Sequence, residues 1–79
     1  MGFGNPHVSK ALAAEQKAEG ATDPATCAQS WRDASRLWER AADRESDPKR
    51  RGQYTANAER TRAASEETAE PFDPSDLPN

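Results

Sequence analysis

Isoleucine is missing from this 79-residue chain, valine occurs once, and Leu, Ile, Val and Phe together number only six. So little branched aliphatic mass falls within the range of chains that stay disordered. With Val8 as the only β-branched residue besides threonine, strand-like alternation has nothing to build on. A single cysteine, Cys27, excludes an intrachain disulfide, and one Cys with one His makes a structural zinc site improbable. Nowhere do eighteen apolar residues follow one another, and Met1 to Leu12 shows no basic stretch leading into an apolar one. The expectation is a protein of the reducing cytoplasm that neither crosses a membrane nor leaves by the usual secretory route. Gly-rich phosphate loops, Ser/His/Asp sets and Cys/His clusters are lacking too, so neither catalysis nor a cofactor is expected.

What the chain does have is alanine, fifteen residues of it, alongside two Trp and one Tyr. Ala is the strongest intrinsic helix former, and each aromatic can bury roughly 150 to 250 Å². The choice is therefore between a thin helical bundle and a nascent helix, with the aromatics and the aliphatic stems of Arg and Lys carrying much of the burial. Such a core implies marginal stability or self-association, and a homodimer is one form this would take.

Proline marks the divisions. Four times an Asx residue stands directly before it: Asn5-Pro6, Asp23-Pro24, Asp47-Pro48 and Asp73-Pro74. An Asx side chain satisfies an open N–H of a first helical turn, and proline at the first helical position has no N–H to lose. The first three pairs read as helix starts, Gly20 as a left-handed stop, and Ser46-Asp47 as a break. Helices are expected at about 6–19, 24–45 and 48–69. Pro71 to Asn79 holds three prolines and reads as an acidic tail, disordered or loosely docked.

The middle helix has the clearest pattern. Cys27, Trp31, Ala34, Trp38 and Ala41 follow at spacings of four, three, four and three, one buried stripe flanked by Leu37 and Ala42. The first helix offers Val8, Ala11, Leu12 and Ala18. The third offers Tyr54, Ala58 and Ala69 beside Thr61, Ser65 and Thr68, and is the weakest partner. The fold class is all-α: a small antiparallel three-helix bundle over residues 1–70, with Trp31 and Trp38 seated between the first and third helices and Leu12 and Tyr54 completing the core.

Ala34, Trp38 and Ala41 resemble the small, aromatic, small spacing in the second helix of tetratricopeptide repeats, and Tyr54 with Ala58 looks like the start of a following first helix. The chain departs from that pattern in having Ser46 where the repeat ends its helix with proline, and in lacking a second copy. Over roughly residues 8 to 66, an Ala-rich first helix, an aromatic second helix and a third with Tyr54 and Ala58-Glu59-Arg60 also resemble the MIT family. That resemblance implies a three-helix bundle that holds short motifs in its interhelical grooves.

Net charge is −3 overall but unevenly spread: −1 over residues 1–31, +3 over 32–62 and −5 over 63–79. Arginine outnumbers lysine eight to three, which with abundant alanine matches the composition of a GC-rich bacterial genome. Arg32, Arg36, Arg40 and Arg44 recur every four residues and form a ladder that could grip phosphates. Asp33, Glu39 and Asp43 stand three residues from Arg36 or Arg40, close enough to pair and leave an ordinary solvated face. Lys49-Arg50-Arg51 stands in a first helical turn, where the dipole disfavours cations, and either captures an anion or neutralises Glu45 and Asp47. His7 reads as an exposed, idle imidazole. Cys27 reads either as a small buried filler or as a thiol activated at a helix N-terminus. In the tail, Phe72 and Leu77 are apolar anchors among acids and prolines, as in many linear recognition motifs, unless Phe72 folds back over the bundle.

These observations lead to a non-catalytic helical adaptor that binds another protein through an interhelical groove or its acidic tail. Its contact residues would be Arg32, Arg36, Arg40, Phe72 and Leu77. Two alternatives compete with it. One is a nucleic-acid accessory factor using Arg36, Arg40, Arg44, Lys49, Arg50 and Arg51, and the other is a small accessory subunit of an enzyme.

Overall fold

The computed structural model describes residues 5–68 and contains three helices, α1 (Pro6–Gly20), α2 (Pro24–Arg44) and α3 (Pro48–Thr68). Each begins at an Asx-Pro pair. The Asn5 side chain accepts from the His7 N–H at 3.0 Å, Asp23 from Thr26 at 2.8 Å and Asp47 from Arg50 at 3.0 Å, so one otherwise open N–H at each helix start is satisfied. Hydrogen bonds from Thr26, the hydroxyl first and the backbone N–H second, hold the Asp23 carboxyl below the ordinary carboxylate range.

The helix ends differ from expectation at Gly20. It is the last helical residue, and the turn is made by Ala21, whose backbone is extended (φ −73°, ψ 138°) and whose N–H reaches Ala18 O at 3.3 Å. Only Ala21 and Thr22 separate Gly20 from the Asp23 cap, and an extended exit spans that gap without a left-handed residue. Glu45 ends α2 in the same way, with its N–H on Ala42 O at 3.2 Å.

α2 is the central element: it packs against both α1 and α3, while α1 and α3 meet only slightly. Its buried residues are Ala28, Ser30, Ala34, Ser35, Trp38, Ala41 and Ala42, a stripe wide enough to serve a neighbour on either side. Ala11 of α1, Ala34, Trp38 and Ala41 of α2 and Ala58 of α3 form one cluster, with Val8, Ala14, Leu37 and Tyr54 packed on it. Alanine at these contacts brings the helix axes close, which shortens the distances that larger side chains would otherwise fill.

Polar bonds set the antiparallel register. Asn5 Nδ2 donates to Ala41 O at 2.9 Å, tying the start of α1 to the end of α2, and Cys27 Sγ donates to Ala18 O at 3.1 Å at the opposite end. Between α2 and α3, the buried Ser35 hydroxyl donates to Ala58 O at 3.0 Å. On α3 the buried positions are Ala58, Thr61 and Ser65; the Thr61 hydroxyl returns to Asn57 O at 2.8 Å and the Ser65 hydroxyl to Arg62 O at 2.7 Å. Burying these hydroxyls is tolerable because the helix's own carbonyls accept from them. Ala69 and the tail lie outside the described residues.

Trp38 is seated as expected, 3% exposed, with its ring stacked on Tyr54 at 5.6 Å and 29° between planes. Trp31 is only half-buried. It stands two turns nearer the start of α2, where the buried faces of α1 and α3 consist of Ala18, Thr61 and Ser65, too small to cover an indole. Leu12, expected in the core, is 48% exposed. At about 100° per residue it projects well to one side of Ala11, while Ala11 and Ala18 form the buried line of α1.

Candidate functional site

The first three arginines of the ladder are all exposed on the side of α2 away from its buried stripe. Around them the surface is grooved along both flanks of the helix. Between α1 and α2 lies a groove of about 450 Å³ whose apolar floor is Ala13, Ala14 and Leu37. Its rim is Lys17, Arg36 and Arg40, with Asp33 as the one acid. Between α2 and α3 lies another of about 340 Å³, lined by Arg32, Ser35, Arg36 and Arg62 together with Glu39 and Glu66. Further along the same seam, Glu39, Asp43 and Glu59 surround a groove of about 400 Å³ with Arg62 as its cation. Arg36 borders the first two grooves and thus joins them across the outer face of α2.

Charge separates these surfaces. The α1–α2 groove carries three cations against one acid, the second groove three against two, and in the third three acids face one cation. The expected helical ion pairs of Arg36 and Arg40 do not form. Among the described residues the ion pairs are Glu45–Arg50 at 3.5 Å and Glu15–Arg60 at 2.9 Å. Asp33 instead accepts from Gln29 Nε2 at 3.0 Å, and Gln29 in turn accepts from Arg32 at 3.1 Å. Arg32 is thereby held back along α2, while Arg36 and Arg40 keep their donors available to a ligand.

The second basic stretch has a local role. Arg50 reaches Glu45 Oε2, which also accepts from the Asp47 N–H at 3.1 Å, so the α2–α3 linker is tied across its own turn. Lys49 and Arg51 are exposed beside it.

His7 is half-buried rather than exposed, and its Nδ1 is enclosed without a hydrogen-bond partner. The first turn of α1 lies against the end of α2, as the Asn5–Ala41 bond shows, and that contact removes His7 from full solvent. Cys27 is half-buried and uses its thiol to satisfy the Ala18 carbonyl near the end of α1, a structural task. Among the described residues no three His, Cys, Asp or Glu side chains converge to hold a metal ion, and no helix is long and apolar enough to cross a membrane.

Of the expected contact residues, the structure brings Arg36 and Arg40 together on one groove and places Arg32 on the next. Phe72 and Leu77 lie outside the described residues. Sequence reasoning missed Lys17, Ala13, Ala14 and Leu37 as parts of that groove. The signal was present in the alternation of small and cationic side chains on facing helices, but it needs the register of α1 against α2. No protein family, curated protein or solved structure matches the chain.

Proposed function

We propose that this protein is a non-catalytic helical interaction module whose α1–α2 groove receives an acidic segment bearing apolar anchors. The observation that carries this reading is the groove itself. An apolar floor of Ala13, Ala14 and Leu37 lies beneath Lys17, Arg36 and Arg40, none of which has an ion pair among the described residues. An apolar side chain would gain burial on the floor while flanking carboxylates meet the rim, which is the helix-in-groove or acidic-motif mode of recognition. Rim charges would act mainly through association rate and orientation, and the floor through affinity.

The test is titration of fluorescent acidic peptides carrying Phe or Leu anchors, read by anisotropy, with the amide signals of Ala13, Ala14 and Leu37 followed by NMR. Binding that shifts those amides, weakens with salt and falls at least about tenfold in Arg36→Glu/Arg40→Glu supports the proposal. If no such peptide shifts them, it fails. Duplex DNA and single-stranded RNA form the control arm. Affinity for either that drops steeply and linearly in log salt would replace the adaptor with the phosphate-binding alternative.

A further inference from the structure

We infer that the chain's own acidic segment, residues 70–78, occupies the α1–α2 groove in cis, so that any outside partner must displace it. This rests on the reading of that groove as the binding surface and adds its resident occupant.

Complementarity is the first argument. The segment carries Glu70, Asp73 and Asp76 with Phe72 and Leu77 between and beyond them, and no cation. The groove pairs the opposite charge with an apolar floor: Lys17, Arg36 and Arg40 against a single Asp33, over Ala13, Ala14 and Leu37. Of the two grooves between α2 and α3, the one with Glu39, Asp43 and Glu59 against Arg62 would repel the same segment. The other sets Arg32, Arg36 and Arg62 against Glu39 and Glu66 and has no apolar residue in its lining to seat Phe72 or Leu77.

Reach is the second. α3 runs antiparallel to α2, with Ser35 bonded to Ala58, so Thr68 lies beside the start of α2. The Cys27–Ala18 bond places Lys17 at that same end. From there to Arg40 is about 22 Å along α2 at roughly 1.5 Å per residue, plus a sideways crossing of about 10 Å. The residues after Thr68 can span roughly 36 Å when extended. Leu77, nine residues past Thr68, can extend roughly 31 Å and comes within reach of Leu37 and Arg40, whereas Phe72, four residues past it, extends only about 14 Å, toward the Lys17 end of the groove. The path runs over Arg32 and Arg36, which border the intervening surface. Prolines at 71, 74 and 78 favour an extended course and reduce the entropy lost on docking.

A tethered segment acts at roughly millimolar effective concentration, so with an intrinsic Kd of about 100 µM for the groove it lowers the apparent affinity of any outside ligand about tenfold. The test uses the full chain and its Phe72→Ala/Leu77→Ala variant, both changes lying outside the described residues. The expected result is a shift of the Ala13, Ala14 and Leu37 amides between the two proteins. That shift should be independent of protein concentration and should vanish when the comparison is repeated in an Arg36→Glu/Arg40→Glu background. A synthetic peptide of residues 69–79 should bind the Phe72→Ala/Leu77→Ala chain about tenfold more tightly than the unsubstituted one. Equal peptide affinity for both chains, with no amide difference between them, overturns cis occupancy while leaving the groove as a binding surface. Perturbation that grows with protein concentration also overturns it, by assigning the segment to a second copy. A peptide that moves no groove amide in either chain sinks both readings.

Discussion

Trp38 and Glu15 are joined by a hydrogen bond of 2.6 Å from the indole Nε1 to the carboxylate Oε2, across the α1–α2 interface. The same oxygen accepts from Arg60 of α3 at 2.9 Å, so one carboxylate links all three helices where α1 and α3 otherwise barely meet. The glutamate side chain is 12% exposed and the arginine 53%. Burying an indole requires an acceptor for its N–H, and here a charged one, itself neutralised from the far helix, supplies it.

Removing that acceptor is expected to be costly. Glu15→Ala leaves the indole N–H enclosed and unpaired, a loss of about 1–3 kcal/mol, whereas Glu15→Gln retains an acceptor and loses less. Arg60→Ala removes the more exposed partner and costs at most about 1 kcal/mol. Urea unfolding followed by circular dichroism would rank the three, and an Arg60 effect larger than that of Glu15→Ala would contradict the account.

The two tryptophans should separate clearly. Trp38→Ala removes the largest buried side chain of the cluster and costs about 3–5 kcal/mol, comparable to the whole stability of a domain this thin. Trp31→Ala should cost less, and Leu12→Ala should fall within about 0.5 kcal/mol of the parent. In the Trp31→Phe protein, emission from Trp38 should be shifted to the blue and weakly quenched by iodide. Emission typical of indole in water would refute its enclosure.

Alanine at the contacts should resist enlargement. Ala34 and Ala11 are fully buried between closely approaching helices, so Ala34→Leu or Ala11→Leu is expected to destabilise by about 1–3 kcal/mol despite adding apolar mass. A rise in melting temperature for either would mean the interface has room that the structure does not show.

Gly52 offers the opposite case. It lies inside α3, and a methyl group there would meet nothing within 4 Å. Gly52→Ala should therefore raise stability by about 0.5–1 kcal/mol through backbone entropy alone. Thermal unfolding measures it directly.

The Asp23 cap predicts a pH dependence. Its folded pKa lies below the unfolded value of about 3.9, so the ionised cap's contribution is fully present above that value and is lost as pH falls through the folded one. Asp23→Ala should lower the melting temperature at neutral pH, and the gap between the two proteins should narrow as the buffer is taken below about pH 4. A gap independent of pH would assign the effect to something other than the carboxylate.

Element positions were legible in the sequence because an Asx cap and a following proline act within a single turn. Helices expected at 6–19, 24–45 and 48–69 form at Pro6–Gly20, Pro24–Arg44 and Pro48–Thr68. Spacing likewise exposed the α2 stripe, since 3.6-residue periodicity is a property of one helix. Tertiary structure alone decided that Leu12 faces out, that Trp31 is half-covered, that Glu15 answers the Trp38 indole, and that Lys17 joins Arg36 and Arg40 over Leu37. Each of these depends on how far one helix slides and turns against another. In this protein that register comes from bonds such as Asn5–Ala41, Cys27–Ala18 and Ser35–Ala58, between residues too far apart along the chain for any local pattern to announce them.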